Sequence, residues 1–281
     1  MTNTDLGSWM RTNQAKLRDF SEFPTVEINA ILSHTLQKPV SWIYAHPETV
    51  LDSQILLQLN DFVQRLQNRE PLAYILHKQA FFGLDFYVDS SVLIPRPETE
   101  LLVELAISWL EEYPERKNVL DIGTGSGIIA ITLADRFPNL SVTAVDTSPE
   151  ALQVARLNAA TYHLEEQINF LQSDLFSNIQ GTYDLVVANL PYIPTAELEL
   201  LHALRFEPAI ALDGGSDGLD QIRRLVQTCA DSLALPACLF LEIQYNQGNK
   251  VKEIFAKFFP QAEVTIYKDL ADLPRVVKIL I

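Results

Sequence analysis

The stretch Val119-Leu120-Asp121-Ile122-Gly123-Thr124-Gly125-Ser126-Gly127 decides the fold class of this chain. Its apolar residues predict a short buried strand, and the glycines that follow predict a tight turn. A helical pattern then begins over residues 128–133. A strand, a glycine-rich turn and a helix in this order are typical of the nucleotide-binding unit of doubly wound α/β folds. Glycine suits the turn because it lets the backbone approach a ligand closely.

The spacing of these glycines argues against a dinucleotide. The dinucleotide fingerprint needs glycine at its first, third and sixth positions. Counting from Gly123, the sixth position is Ile128, so the pattern here is Asp-x-Gly-x-Gly-x-Gly. We expect Asp121 to hold an amino group, because a carboxylate fits an anionic diphosphate poorly. We predict that the cofactor is bound by Asp121 and by the loop residues Gly123, Thr124, Gly125, Ser126 and Gly127.

Two further strands are also followed by acids. The apolar stretch 141–146 ends in Asp146, about 20 residues beyond the glycine loop, where an acid commonly bonds the two ribose hydroxyls. The stretch 168–172 is followed by Ser173, Asp174 and Leu175. Acids after three successive strands can surround a nucleoside with a cationic amino-acid tail. This combination indicates S-adenosylmethionine, whose sulfonium is positive, with contacts from Asp146, Asp174 and Leu175.

A polar turn, Asn189-Leu190-Pro191-Tyr192, closes the apolar run 185–188. Asn189 stands at the carboxyl end of a predicted strand, where open α/β sheets bind ligands, so it also joins the predicted cofactor contacts. Its side-chain carbonyl and the Leu190 backbone carbonyl are two acceptors, Pro191 stiffens the turn, and Tyr192 offers an aromatic face. These four residues therefore predict a catalytic, substrate-binding site for a planar NH2 group. The alternative is an ordinary strand-ending turn.

These motifs, together, resemble those of the class I methyltransferases that modify amide or amino nitrogens. Several further segments resemble the peptide chain release factor glutamine N5-methyltransferases, namely residues 69–76, 82–86, 92–100, 207–208, 214–219, 269–270 and 275–277. The resemblance covers most of the chain from about Arg69 onward. It departs at Leu190, where the family usually has a proline. The backbone carbonyl survives that change, so we expect activity to survive.

The resemblance implies a doubly wound, mostly parallel seven-stranded sheet with an antiparallel last strand. A small helical domain and a β-hairpin linker are expected to precede it. The implied reaction moves a methyl group from S-adenosylmethionine to the side-chain nitrogen (N5) of the glutamine in the Gly-Gly-Gln loop of peptide chain release factors. S-adenosylhomocysteine is the second product. Two alternatives stay open: a nucleic-acid amine methyltransferase of the adenine N6 type, and a non-catalytic S-adenosylmethionine-binding protein.

Net charge bears on the nucleic-acid alternative. The chain has 281 residues and a formal net charge of −15. Phosphate contacts dominate nucleic-acid affinity and need Lys and Arg. A strongly acidic chain without a basic stripe therefore favours a protein partner, and we expect no stable nucleic-acid binding.

Composition also predicts the compartment. The two cysteines, Cys229 and Cys238, have no C-x-x-C spacing and fit reduced thiols. The histidines (His34, His46, His77, His163 and His202) lack metal-ligand spacing, so no metal site is expected. No apolar run reaches the ~18 residues of a membrane span. Residues 1–10 show no secretory pattern, and we expect a cytoplasmic protein.

Periodicity divides the chain into three segments. Residues 1–75 are predicted to form a helical substrate-recognition domain, 76–93 a β-hairpin linker, and 94–281 the methyltransferase domain. In the first segment, helices are predicted over 6–20, 24–36, from 47 onward, and over 53–68, with Asp52 and Ser53 as caps. Trp9, Trp42 and Tyr44 are interpreted as core residues.

Strand and helix patterns alternate in the last segment, which indicates a largely parallel sheet covered on both faces. Strands are predicted over 119–122, 141–146, 168–172, 184–188 and 238–243, with a closing antiparallel pair at 264–267 and 276–280. Helices are predicted over 127–137, 149–160, 218–233 and 247–258, and another is predicted from Glu98 to Leu110. Residues 97–100 are equally well interpreted as a helix start or as pocket lining.

Overall fold

A computed structural model describes residues 4–198, 200–201 and 204–281. His202, one of the histidines considered above, lies outside these residues. The chain forms two compact units, one ending at Lys78 and the other beginning at Gln79.

The first unit is helical. A core of mainly aliphatic side chains joins its longer helices, with Leu6, Ile31 and Leu59 fully buried. Asp52 caps its fourth helix, because its carboxylate accepts from the backbone N–H groups of Gln54 and Ile55. The helices are α1 (Leu6–Leu17), α2 (Pro24–Leu36), α3 (Val40–Ala45), α4 (Ser53–Gln67) and α5 (Leu72–Leu76).

Three predictions for this unit are wrong. No helix begins at Pro47; residues 47 and 48 form a turn, and the carbonyls of Pro47 and Thr49 accept from the backbone N–H groups of Gly7 and Leu6, respectively. Tyr44 is not a core residue, since half of it is exposed and its hydroxyl accepts from the Asn29 amide. Ser53 is the first residue of α4 rather than a cap.

The other two aromatic residues of the first unit lie as predicted in or against its core. Trp9 is buried and its indole N–H donates to Asn60. Trp42 packs against the same core from one side and stacks on His46.

The second unit begins with a β-hairpin of two short strands, β1 (Gln79–Phe81) and β2 (Leu84–Phe86). Phe82 and Gly83 both have positive φ, as a tight two-residue hairpin turn requires. Phe81 and Phe86 are buried in a core cluster of this unit. The hairpin is therefore part of the second unit.

The rest of the second unit is a seven-stranded sheet with helices on both faces. Its strands are β3 (Asn118–Ile122), β4 (Ser141–Asp146), β5 (Ile168–Gln172), β6 (Tyr183–Ala188), β7 (Leu233–Glu242), β8 (Glu263–Lys268) and β9 (Pro274–Leu280). The helices are α6 (Thr99–Glu112), α7 (Ile128–Arg136), α8 (Pro149–Thr161), α9 (Thr195–Leu198), α10 (Asp220–Thr228) and α11 (Gly248–Phe258).

The strand order is β5-β4-β3-β6-β7-β9-β8. Strands β3 to β7 pair in parallel, and β9, the last strand in the chain, runs antiparallel to β7 and β8. The predicted sheet is thus confirmed. The strand order reverses at β3, between β4 and β6, and this switch point brings the ends of β3, β4, β5 and β6 to one edge.

Two predicted boundaries in the second unit are wrong, one of a strand and one of a helix. Strand β7 starts at Leu233 rather than at 238, and the register of its pairing with β6 shifts along this half-exposed start. Helix α10 ends at Thr228, and the segment up to Ser232 continues only as a short 3-10 turn.

Candidate active site

A cavity of about 300 Å³ opens at the carboxyl ends of the parallel strands. This is the edge at which open α/β sheets bind ligands. The predicted site residues that line it are Gly123, Thr124, Gly125, Ser126, Asp146, Asp174, Leu175, Asn189, Leu190 and Pro191. The three other predicted residues, Asp121, Gly127 and Tyr192, lie behind this lining.

The glycine loop connects β3 to α7 and turns sharply against the sheet. The backbone N–H groups of Gly123 and Thr124 both donate to the Val145 carbonyl, which ties the loop to the end of β4. Gly127 has a φ of +85°, and a Cβ there would lie 2.9 Å from the Ile131 side chain and 3.2 Å from that of Ala155. Glycine is required at this position because the loop must pass close to both helices.

Asp121 does not occupy the position predicted for it. Its side chain is fully buried, and its Oδ2 accepts from the Thr124 hydroxyl at 2.7 Å and from the Ala130 N–H at 3.2 Å. Its Oδ1 has no hydrogen-bond partner among the residues that the structure describes. Burial raises the pKa of Asp121 to about 7. Asp121 therefore holds the glycine loop and the start of α7 rather than reaching into the cavity.

Asp146 lies at the end of β4 and lines the cavity. Its carboxylate accepts from the backbone N–H groups of Gly125 and Ser148, at 2.9 and 3.0 Å. Burial raises its pKa, while these backbone donors oppose the shift. Each carboxylate oxygen has a second lone pair available, so the Asp146 carboxylate can also accept hydrogen bonds from the hydroxyls of a ribose.

Asp174 and Leu175 follow β5 and form another wall of the cavity. Leu175 is buried with a φ of +51°, an uncommon backbone conformation for a branched residue. The carboxylate of Asp174 accepts from the Arg224 guanidinium at 2.6 Å, and Arg224 also lines the cavity. This wall thus combines an apolar surface with an acid, as an adenine ring and its amino group require.

Asn189 follows β6 and faces the same cavity. Its amide Nδ2 donates to the Thr99 hydroxyl oxygen at 3.1 Å. Thr99 is the first residue of α6, is fully buried and also lines the cavity. Because Nδ2 is engaged by Thr99, the side-chain oxygen of Asn189 lies on the other side of the amide as an acceptor.

Leu190 contributes a buried side chain as well as its backbone carbonyl. It packs in the core cluster that includes Ile122 and Ala188. Its Cδ2 also lies 3.3 Å from the place where a Cβ on Gly123 would stand. Leu190 therefore packs the turn of residues 189–192, which we call the acceptor turn, directly against the glycine loop.

Tyr192 does not form a wall of the cavity as predicted. It is partly buried, and its hydroxyl donates to Oε1 of Glu242 at 3.3 Å. Burial raises the pKa of Tyr192, and the nearby carboxylate of Glu242 adds to the shift. The phenol therefore stays protonated, and the residue connects the acceptor turn to a buried acid at the end of β7.

The backbone of Tyr192 is held by residues that sequence reasoning did not assign to the site. The Gln247 amide donates to the carbonyls of Tyr192 and Gly218, at 2.9 and 3.1 Å. A Cβ on Gly218 would lie 2.2 Å from the Tyr192 carbonyl oxygen, so only glycine fits there. The segment 214–219 thus supports the acceptor turn. Its glycines were visible in the sequence, but the residue they approach was not.

One buried carboxylate joins two walls of the cavity. Glu207 accepts from the backbone N–H of Ile94 at 3.0 Å and pairs with the Arg96 guanidinium. Arg96 and Pro208 both line the cavity. Pro95 and Arg96 therefore line the cavity, and so does Thr99, where the helix itself starts.

The two cysteines are buried and do not line the cavity. Burial raises the pKa of both cysteine thiols to about 12, which makes them poor nucleophiles. Within residues 4–198, 200–201 and 204–281, no group of three acidic, histidine or cysteine side chains is placed to hold a metal ion. No helix in this part of the chain is long and apolar enough to span a membrane.

Two family models match parts of this chain. The family model described as "Methyltransferase small domain" matches residues 98–209, and the "PrmC N-terminal domain" model matches residues 8–76. Among solved structures, a methyltransferase from Pyrococcus furiosus superimposes with a TM-score of 0.52 at 20% identity, over 79% of this chain and 98% of that one. This likeness supports the class of fold.

Curated relatives match almost the whole chain. Release factor glutamine methyltransferase from Buchnera aphidicola subsp. Baizongia pistaciae (strain Bp) is 34% identical over 270 residues, which cover 96% of both chains. The protein of the same name from Streptococcus pneumoniae (strain ATCC BAA-255 / R6) is 42% identical over 230 residues, or 81% of both chains. The chain therefore belongs to the release factor glutamine methyltransferase family.

Proposed function

We propose that this protein transfers a methyl group from S-adenosylmethionine to the side-chain nitrogen N5 of the glutamine in the Gly-Gly-Gln loop of peptide chain release factors. The observation that carries the proposal is the placement of Asn189, which lines the same cavity as Asp146 and Asp174 and whose Nδ2 is already engaged by Thr99. Family membership supports the same reaction.

The residues of the cavity fit this cofactor. Asp146 offers acceptors for the ribose, and Asp174 with Leu175 offers an acid beside an apolar wall for adenine. The glycine loop leaves open space next to Gly125. When bound, S-adenosylmethionine supplies an electrophilic methyl group on a positive sulfur.

In the proposed mechanism, the chain positions an amide that is a poor nucleophile. The Asn189 side-chain oxygen and the Leu190 carbonyl accept the two N–H bonds of the glutamine amide, which turns the nitrogen lone pair towards the methyl group. These acceptors also stabilise the positive charge that grows on nitrogen. Holding both reactants in line can contribute ~7–11 kcal/mol.

The proposed step is a direct displacement. The bond from sulfur to the methyl carbon breaks with its electrons on sulfur, and a nitrogen–carbon bond forms. The methylated nitrogen is strongly acidic, so its extra proton passes to water without a tuned general base. Tyr192 acts through the turn, since its hydroxyl is engaged by Glu242.

Mass spectrometry tests the proposal. A release factor is incubated with the protein and S-adenosylmethionine, digested, and searched for one added methyl group on the Gly-Gly-Gln glutamine. The same release factor with that glutamine changed to alanine is the control and should gain no methyl group. RNA and DNA are assayed in parallel. Transfer to a nucleic acid alone would support the adenine-type alternative, and cofactor binding with no transfer would support the non-catalytic one.

We further propose that residues 1–75 recognise the release factor outside its reacting glutamine, that 76–93 serve as the linker, and that 94–281 carry out the transfer. The first unit exposes Phe23 and Val26 at the start of α2, at 65% and 62%. Changing both to serine is expected to raise KM for the release factor and leave kcat unchanged. Leu157→Ser, at an exposed position of α8, is the matched control.

A protein substrate that acts in translation also favours a cytoplasmic location for this protein.

A further inference from the structure

We propose that Glu242 is a positioning residue that sets which way the Asn189 amide faces, acting through Thr99 and Tyr192. The inference rests on the proposed function and adds a residue that the mechanism above does not use. Glu242 lies at the end of β7, is 1% exposed and does not line the cavity.

The sheet places Glu242 beside the acceptor turn. In the parallel pairing of β6 with β7, Ala188 stands opposite Leu241. Asn189 and Glu242 are the next residues on the two strands, so they leave the sheet side by side. Helix α6 packs across both strands and begins with Thr99, whose hydroxyl accepts from Asn189. Thr99 also lies close enough to Glu242 for its hydroxyl to lower the pKa of that carboxylate.

The direction of the hydrogen bonds follows from this arrangement. An ionised carboxylate only accepts, and a threonine hydroxyl has a single proton to donate. When Thr99 gives that proton to Glu242, its oxygen can only accept from Asn189. The Nδ2 group of Asn189 must then face Thr99, as the structure has it, and its oxygen must face the cavity.

Loss of the charge on Glu242 removes this constraint. The Thr99 proton is then free to point at the Asn189 oxygen, which allows the amide to turn over. A turned Asn189 amide presents its N–H groups to the N–H groups of the incoming glutamine. Two donors would then face each other, and no hydrogen bond could form. Glu242 also accepts from the Tyr192 hydroxyl, so its charge orients the other side of the same turn.

Stability alone does not explain this acid. Oε2 of Glu242 has no hydrogen-bond partner among the described residues. A buried, partly unpaired carboxylate is destabilising compared with an apolar side chain. The groups that face Glu242 are Glu98 and Thr99 from the start of α6, Tyr192 after β6 and Arg275 on β9, which is itself paired with Asp269. The neighbours of the Glu242 carboxylate are thus one cation, one acid and two hydroxyl groups.

The charge state of Glu242 gives the inference a pH readout. Burial raises its pKa to about 7, with Thr99, Arg275 and Tyr192 opposing the shift and Glu98 adding to it. The ionised form is the one that orders Asn189. We therefore expect kcat, at saturating concentrations of both substrates, to rise with pH through about 7.

The first test compares Glu242→Gln with the wild-type protein in the release factor assay. The isosteric but neutral side chain is expected to lower kcat about tenfold, the rate equivalent of one lost ordering hydrogen bond, and to leave the cofactor Kd unchanged. Glu263→Gln, at an exposed position of β8, is the matched control and should keep the wild-type kcat. An unchanged kcat in Glu242→Gln would overturn the inference. A wild-type protein that methylates no release factor would instead overturn the proposed function, and this inference with it.

The second test uses Thr99→Val and holds even where Glu242→Gln does not fold. Removing the hydroxyl disconnects Asn189 from Glu242, so the rise of kcat through about pH 7 should disappear in this variant. Adding Glu242→Gln to Thr99→Val should then cost less than it does in the wild type. A pH step that persists in Thr99→Val, or strictly additive losses in the double variant, would show that Glu242 does not act through Thr99.

Discussion

Asp121 and Glu242 are two buried carboxylates of the same kind in two different walls of the site. Each is at most 1% exposed, each has a pKa raised by burial to about 7, and each has one oxygen without a hydrogen-bond partner in the described part of the chain. Their partners differ. Asp121 accepts from the Ala130 backbone N–H and the Thr124 hydroxyl, next to the glycine loop. In the described residues the Glu242 carboxylate accepts instead from a side chain, the Tyr192 hydroxyl.

This difference indicates that the two carboxylates stabilise different parts of the site, one the backbone and the other the side chains. A carboxylate that accepts from backbone N–H groups holds the course of the chain, as Asp121 does for the glycine loop and the start of α7. A carboxylate that meets hydroxyl groups orients side chains, as we propose for Glu242 with Thr99 and Tyr192. Changes at the first site should therefore alter cofactor affinity, and changes at the second should alter turnover.

Asn189→Ala should have the largest effect and would sharpen the acceptor side of the comparison. Removing one preorganised polar partner typically raises the barrier by ~2–4 kcal/mol, so we expect kcat to fall by about 30-fold to 1,000-fold. Cofactor Kd should weaken slightly at most, which single-turnover kinetics with calorimetry can separate. Asn169→Ala, at an exposed position of β5, is the control. Wild-type turnover in Asn189→Ala would exclude the proposed role.

Asp146→Ala probes the cofactor side. Its carboxylate lines the cavity and is expected to bond the ribose hydroxyls. Hydrogen bonds to a charged group contribute about 1.5–3 kcal/mol, so we expect Kd for S-adenosylmethionine to rise by about tenfold to a hundredfold by calorimetry. Asp135→Ala, an exposed change at the end of α7, should leave Kd as it is. Equal affinities in the two variants would contradict the ribose assignment.

Asp121→Asn tests the comparison directly as the mirror image of Glu242→Gln. The amide keeps one acceptor for the Thr124 hydroxyl or the Ala130 N–H but adds donors that the buried site does not match. We expect Kd for the cofactor to rise about fivefold, since about 1 kcal/mol of the free energy that orders the loop is lost, while kcat at saturating cofactor stays unchanged. A fall in kcat with unchanged Kd would erase the distinction between the two carboxylates.

Much of the fold could be predicted because its determinants are local. The strand, glycine turn and helix around Gly123 are contiguous, and the acids after β4 and β5 follow their own strands. The role of Asp121 could not be predicted in this way, because its Ala130 partner is brought to it by the turn of the loop. Glu242 ends an apolar run like any strand-ending acid. Its neighbours Thr99 and Tyr192 are distant in sequence, and only the sheet order brings them together.

The last prediction concerns how the free energy of unfolding depends on pH. Because the folded-state pKa of Glu242, about 7, lies above its ordinary value of 4.5, the folded chain keeps a proton that the unfolded chain has released. The stabilising contribution of this carboxyl is therefore complete below about pH 4.5 and is lost as the pH rises to about 7. We expect the free energy of unfolding of the wild type, minus that of Glu242→Gln, to fall across this window and stay level above it. Urea unfolding at a series of pH values measures both. Acids whose pKa is lowered, such as Glu70 and Asp217, have the opposite dependence but are common to both proteins and cancel in the difference. A difference that is flat or that rises with pH would mean that Glu242 is already ionised well below neutral pH, and the kcat profile through pH 7 would then need another origin, with Asp121 the first group to examine.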